Sequence, residues 1–239
     1  MLNAVNLDLA TALLGAVRSI QSNPTIRVVL MRGNGRAFMA GGDIATFDQP
    51  PEHRAKHFSG LMDAVHAAME ILMGLDQPVV ASVHGAVAGA GISVAMAADL
   101  VIASEETRFT MGYTKLGVSA DGSISWSLPR LVGLRKALEM ALLSDVYDAP
   151  EALRLGLINK VFAANTLEAE TECLVRRLSE GPTVAFGKMK RLMRQSDGRT
   201  LPEQLRAEEA ALFECIDTQD FASGVRASLN KTRTDFVGK

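Results

Sequence analysis

Apolar residues recur at helical spacing through LDLATALLGAVRSI, so residues 7–20 read as an amphipathic helix that Pro24 closes. IRVVLM follows as a short apolar run, the pattern of a buried strand. RGNGRAFMAGGDI is a loop punctuated by glycine, and helical periodicity returns from about Glu52 to Leu75 through Leu61, Met62, Val65, Met69, Leu72 and Met73. PVVASV is the next strand. It runs into the small-residue turn HGAVAGAG, a short helix ISVAMAAD, a strand LVIAS and a short extended piece RFTM. Strands that alternate with helices imply α/β layering with parallel pairing.

After Gly133 the pattern becomes helical. LRKALEMALL, APEALRLG, residues 166–180, PTVAFGKMKRLMR and segments within 202–229 all read as helices, and INKVF alone interrupts them as a strand. The expected organisation is an α/β core over 1–185 and a helical C-terminal region over 186–239. A formal net charge of -2, with 48% hydrophobic and 22% charged residues, is ordinary for a soluble globular chain and gives no basic excess for nucleic acid. The one basic segment, KMKRLMRQSDGR at 188–199, has no interleaved aromatics and reads as a solvated helix face, with contact to a phosphate group as the alternative. Cys173 and Cys215 lack C-x-x-C spacing and read as reduced packing residues. No signal-peptide pattern and no apolar run of ~18 residues is present, so a cytoplasmic protein without a membrane partner is expected.

Three chemistries compete for VVASVHGAVAGAGISVAMAADLVIASEE. A dinucleotide site needs a third glycine where Val94 stands. A serine nucleophile elbow centred on Ser93 needs a glycine where Ala95 stands and a later histidine, and none follows His84. The third reading makes the turn an oxyanion site, where small residues let backbone N–H groups reach a substrate carbonyl, and AFMAGGDI offers a second donor loop. Further on, GVSADGSISWSLPRLVG isolates one acid, Asp121, with no other charge until Arg130. It reads either as an N-cap for the helix ahead or as a lone acid/base crowded by Ile124 and Trp126.

Taken together, GRAFMAGGDI, PVVASVHGAVAGAGISVAMAADLVIAS, FTMGYTKLGVSADGSISWSLPRLVG and APEALRLGLINKVF resemble the enoyl-CoA hydratase/isomerase, or crotonase, family over nearly the whole chain. The resemblance implies a crotonase-like (ClpP/crotonase) α/β spiral of ββα units with a helical C-terminal trimerisation region. It implies an acyl-CoA thioester substrate whose carbonyl oxygen sits between the N–H groups of Gly42 and Ala90, with Ala40, Asp43 and Ile44 near the adenine end. The two glutamates of the family's hydratases fall on Ser93 and Tyr113, so two-acid hydration is not expected. Asp121 falls on the aspartate of the isomerase members, although Ala120 and Ser123 depart from their G-x-x-P-D-x-G loop.

The same aspartate is the nucleophile of 4-chlorobenzoyl-CoA dehalogenases, whose water-activating histidine falls on His66 and whose ring-binding tryptophan falls on Tyr113. His66 also reads as a packed residue on the stripe of Met62, Met69 and Met73, and Tyr113 as a wall of the acyl pocket or as packing. The expected function is an acyl-CoA isomerase that moves a double bond from the 3 to the 2 position, or rearranges a ring thioester, with Asp121 as the single acid/base. The alternatives are a hydratase-type lyase, a hydrolase with Asp121 as nucleophile, and a non-catalytic acyl-CoA-binding homologue. No metal or redox cofactor is expected, coenzyme A being part of the substrate, and the expected assembly is a homotrimer or a dimer of trimers.

Overall fold

A computed structural model describes residues 2–239, His57 through its backbone alone. The chain opens with α1 (Leu7–Gln21), whose N-cap Asn6 accepts the Leu9 N–H at 3.0 Å. It continues through β1 (Val29–Arg32), α2 (Ile44–Phe47), α3 (Pro51–Gly74), β2 (Val79–Val83), β3 (Ala86–Ala88), α4 (Ala90–Met96), β4 (Leu100–Ser104) and β5 (Arg108–Thr110). A 3₁₀ turn at Tyr113–Leu116 leads to α5 (Ile124–Val132) and α6 (Leu134–Leu143). Then come β6 (Tyr147–Asp148), α7 (Ala149–Arg154), β7 (Lys160–Phe162) and the helices α8 (Leu167–Ser179), α9 (Thr183–Gln195), α10 (Leu201–Ile216) and α11 (Gln219–Asn230).

The main sheet is parallel throughout, in the order β1-β2-β4-β7. All five residues of β2 are buried, as a strand covered on both faces requires. Ser82 points to the side where α8 lies and shares a 2.8 Å hydrogen bond with Thr171, which removes the penalty of burying either hydroxyl. The pairing of α1 with α3 carries the apolar cluster of Ala10, Val17, Leu61, Val65 and Leu72.

A second sheet, β3-β5-β6, starts where the chain turns at His84–Gly85. Gly85 has φ +60°, and a Cβ there would meet the Arg36 carbonyl oxygen at 2.1 Å, so a side chain would force the two loops apart. Two strand, strand and helix units follow one another: β2, β3, α4 and then β4, β5, α5. HGAVAGAG, read from sequence as a turn, thus contains the strand β3.

The helical region is entered through α9, which runs across residues 185 and 186 and is fastened to the core. Asp99 receives Lys190 at 2.6 Å, Arg194 at 2.8 Å and the Val79 N–H at 2.7 Å, while Arg191 reaches Asp76 at 2.6 Å. Burial lowers the Lys190 ammonium below its ordinary range, opposed by the Asp99 charge. The expectation of a solvated basic face is therefore corrected, since Lys188 also pairs with Glu214, and these cations act as struts within the chain. Cys173 is exposed and Cys215 is partly exposed, both as free thiols, so the packing role expected of Cys173 is corrected too. Among the described residues no helix is long and apolar enough to cross a membrane.

Candidate active site

The two glycine-rich loops meet. Met39 accepts the Ala88 N–H at 3.0 Å, and Val5 bridges the other side through Val5 N–H to the Gly41 carbonyl and Asp43 N–H to the Val5 carbonyl. Gly91 has no room for a side chain: a Cβ there would lie 2.1 Å from the Met39 carbonyl oxygen. At Gly42 a Cβ would lie 2.3 Å from the Phe47 ring. This packing leaves the N–H groups of Gly42 and Ala90 without a protein acceptor among the described residues. Ala90 is the first residue of α4, where no intrahelical acceptor exists, so its N–H points out of the helix start. The result is two adjacent loops, each presenting a free backbone donor, which is the arrangement that binds a developing oxyanion.

One helical turn along α4 lies Ser93, about 5 Å of rise from Ala90. Ser93 is fully buried, its Oγ 2.8 Å from the Tyr113 hydroxyl, and it donates to the Asp121 carbonyl oxygen at 3.0 Å. The Tyr113 hydroxyl donates to Asp121 Oδ1 at 2.6 Å. Burial, reinforced by the Asp121 charge, pushes the Tyr113 phenol well above its ordinary range, so it remains a donor at every physiological pH. Asp121 Oδ2 makes no hydrogen bond among the described residues. Gly122, at φ +58°, brings the loop so close that a Cβ there would stand 3.0 Å from the Ser93 Cβ and 3.7 Å from Val65.

This arrangement corrects the capping expectation for Asp121. The N-cap of α5 is Ser123, at φ +76° and without a side-chain cap bond, and the Asp121 carboxylate turns to Tyr113 instead of to the helix. Ile124 is fully buried, while Trp126 is 42% exposed and lies under the Arg130 guanidinium at 4.1 Å. His66 is exposed on α3, which corrects its reading as a packed residue; the preceding Val65 faces the Asp121 loop. Ala40 and Asp43 anchor their loop through backbone bonds to Leu2 and Val5, and Ile44 stands exposed at its rim.

The model of the enoyl-CoA hydratase/isomerase family matches residues 1–239. The chain belongs to this family. It is 31% identical to the 1,2-epoxyphenylacetyl-CoA isomerase of Escherichia coli (strain K12), over 100% of this chain and 91% of that protein. It is 28% identical to 4-chlorobenzoyl coenzyme A dehalogenase-2 of an Arthrobacter species, over 92% and 80%. The crystal structure of an enoyl-CoA hydratase from Bacillus anthracis superimposes with a TM-score of 0.92 at 26% identity, over 99% of this chain and 91% of that one. The family acts on acyl-CoA thioesters, its fold is that of the crotonases, and its members at this level of similarity include isomerases, hydratases and dehalogenases.

Within the family frame, what sequence reasoning missed is the bond between the two replaced positions. In sequence Ser93 lacks the glycine and the later histidine of a nucleophile elbow and Tyr113 reads as wall or packing; in the fold they join each other and the acid. The available signal was chemical complementarity: both positions carry hydroxyls, and each can bond the other or an acid.

Proposed function

We propose that the chain is an acyl-CoA isomerase that converts a 3-enoyl thioester, or a related ring thioester, into its 2-enoyl isomer. Asp121 takes a proton from C2, the thioester carbonyl becomes an enolate held by the Gly42 and Ala90 N–H groups, and the same carboxyl returns the proton to C4. Coenzyme A is the handle of the substrate, its adenine end at the loop of Ala40, Asp43 and Ile44. The observation that carries the reading is Asp121 itself: one oxygen is fixed by Tyr113, the other has no hydrogen-bond partner among the described residues, and its backbone carbonyl accepts from Ser93, one turn along α4 from Ala90.

Hydration by two acids is disfavoured because Ser93 and Tyr113, in place of carboxylates, are hydrogen-bonded to each other at 2.8 Å. A covalent route through Asp121 is disfavoured because Tyr113 ties down one of its oxygens and His66 is exposed. Self-association into a trimer or a dimer of trimers is part of the proposal, supported by the apolar face that α10 and α11 expose through Leu205, Leu212, Phe213, Phe221 and Leu229.

Asp121→Asn is expected to lower turnover on a panel of 3-enoyl-CoA thioesters by ~10²-fold or more while the protein still folds and binds the thioester. Retained turnover rejects the assignment. Mass spectrometry of a quenched reaction is expected to find no acyl adduct on the Asp121 peptide; an adduct there supports the covalent route instead.

A further inference from the structure

Three polar contacts link Ser93, Tyr113 and Asp121, yet the two hydroxyls bring only two hydrogens to them. The Tyr113 hydrogen is committed to Asp121 Oδ1, because an ionised carboxylate has none to give and the phenol does not lose its own. The single Ser93 hydrogen is then shared between the Tyr113 oxygen at 2.8 Å and the Asp121 carbonyl oxygen at 3.0 Å, and so holds the phenol from behind. Both hydroxyls are enclosed, Ser93 at 1% exposure and Tyr113 at 8%, so water does not readily take their place. Asp121 is consequently held at two points, its backbone carbonyl by Ser93 and Oδ1 by Tyr113.

From this geometry we infer that Tyr113 and Ser93 are positioning residues that silence one oxygen of Asp121 and leave Oδ2 as the only proton carrier. The inference rests on the isomerase reading above. In the ionised state Oδ1 accepts from Tyr113 and Oδ2 is the base. Once Oδ2 has taken the proton from carbon, Oδ1 becomes the carbonyl oxygen of a neutral acid and still accepts from the same phenol. Neither state asks a heavy atom to move. The proton stays on the oxygen that faces the substrate and passes to C4 before the carboxyl can rotate and release it to solvent, so the pair gives the acid its direction as well as its place.

The test uses the full chain with 3-hexenoyl-CoA carrying two deuterons at C2. Wild type is expected to place one of them at C4 of the product. Tyr113→Phe, which keeps the ring, is expected to lose kcat by ~10²-fold with KM little changed, and the C4 label is expected to fall to solvent background. Ser93→Ala is expected to show the same split more weakly. A proton resonance far downfield, belonging to the short Tyr113–Asp121 bond, is expected in wild type and Ser93→Ala, moved upfield in Asp121→Asn, whose acceptor is a neutral amide, and absent in Tyr113→Phe.

The inference is overturned if Tyr113→Phe keeps the kcat and C4 label of wild type while Asp121→Asn is inactive, or if the downfield resonance is missing from wild type. Failure of the isomerase reading looks different: Asp121→Asn stays active, or the product is hydrated or hydrolysed. The resonance still judges the hydrogen-bonded trio in that event.

Discussion

Asp99 and Asp121 are both partly buried aspartates in one small domain, and their surroundings separate two uses of a carboxylate. Asp99 has both oxygens filled: Oδ2 by Lys190 and the Val79 N–H, Oδ1 by Arg194. Two cations and a backbone amide take up its lone pairs. Asp121 has no cation partner among the described residues; one oxygen accepts from a phenol and the other makes no hydrogen bond there. A strut needs every lone pair spent, whereas a proton carrier needs one kept back. The difference lies in the partners, since the residue type and the degree of burial are similar.

The largest expected effects come from exchanging the two roles by substitution. Asp121→Asn leaves Tyr113 an amide oxygen to bond, so the loop keeps its shape while turnover falls by ~10²–10⁴-fold, as loss of an acid/base does. Asp99→Asn is expected to act the other way. It strands Lys190 and Arg194 beside a neutral group and costs about 3 kcal/mol of stability, with turnover per folded molecule nearly unchanged. A denaturation curve and a rate measured on each variant check this crossing; equal effects on both axes would erase the contrast.

The donor loops give a second comparison of nearly the same size. Gly91→Ala drives a Cβ into the Met39 carbonyl oxygen, a backbone atom, and is expected to shift the start of α4 and lose ~10²-fold in kcat. Gly42→Ala meets first the Phe47 ring, the end of a side chain rather than backbone, packed on Phe58 with centroids 4.9 Å apart. Its loss is expected to be smaller and to be recovered in Gly42→Ala/Phe47→Ala, measured as a double-mutant cycle on kcat. No added substitution at a side chain should rescue Gly91→Ala.

Much of the fold was legible because periodicity reports burial. The parallel strands β1, β2, β4 and β7 and the long helices α1, α3 and α8 stand where apolar spacing puts them. Two of the shortest pieces were not legible, although RFTM and the helix ahead of Asp121 were: β6 has two residues, and β3 has three, Ala86–Ala88, inside a stretch that reads as a turn. His66 shows how a phase error of one residue misleads. The spacing of Met62, His66, Met69 and Met73 is helical, but the buried stripe is Leu61, Val65, Ala68, Met69 and Leu72, rotated by about 100°. Asp121 was visible as a solitary charge; its bond to Tyr113 was not, since two loop residues eight apart carry no period that places them together.

Among the smaller effects, Lys190 adds a pH dependence to the strut. Its folded pKa lies below the ordinary value near 10.5, so between the two the unfolded chain binds more protons. Stability from this group therefore rises with pH across that window, and at neutral pH the lysine carries a desolvation penalty. In Lys190→Met that rise is expected to vanish while Arg194 still holds Asp99. Stability measured from pH 7 to 10 in both proteins checks the sign, and a wild-type curve that falls faster than the variant contradicts it.

The smallest effect is expected at Trp126, and it sharpens the contrast from the side of the active acid. The indole lies four residues before Arg130, whose guanidinium covers its ring at 4.1 Å and also donates to the Trp126 carbonyl at 2.8 Å, all on an exposed face of α5. An exposed cation–π contact contributes about 0.5–1 kcal/mol, so Trp126→Ala should lower stability by no more than that. Turnover should be untouched, because none of the hydrogen bonds of Ser93, Tyr113 and Asp121 involves the indole. If Trp126→Ala lowers kcat as Tyr113→Phe is expected to, then the acid is governed by apolar crowding rather than by a hydroxyl, and the distinction between the two aspartates has to be drawn from solvation instead of from hydrogen bonding.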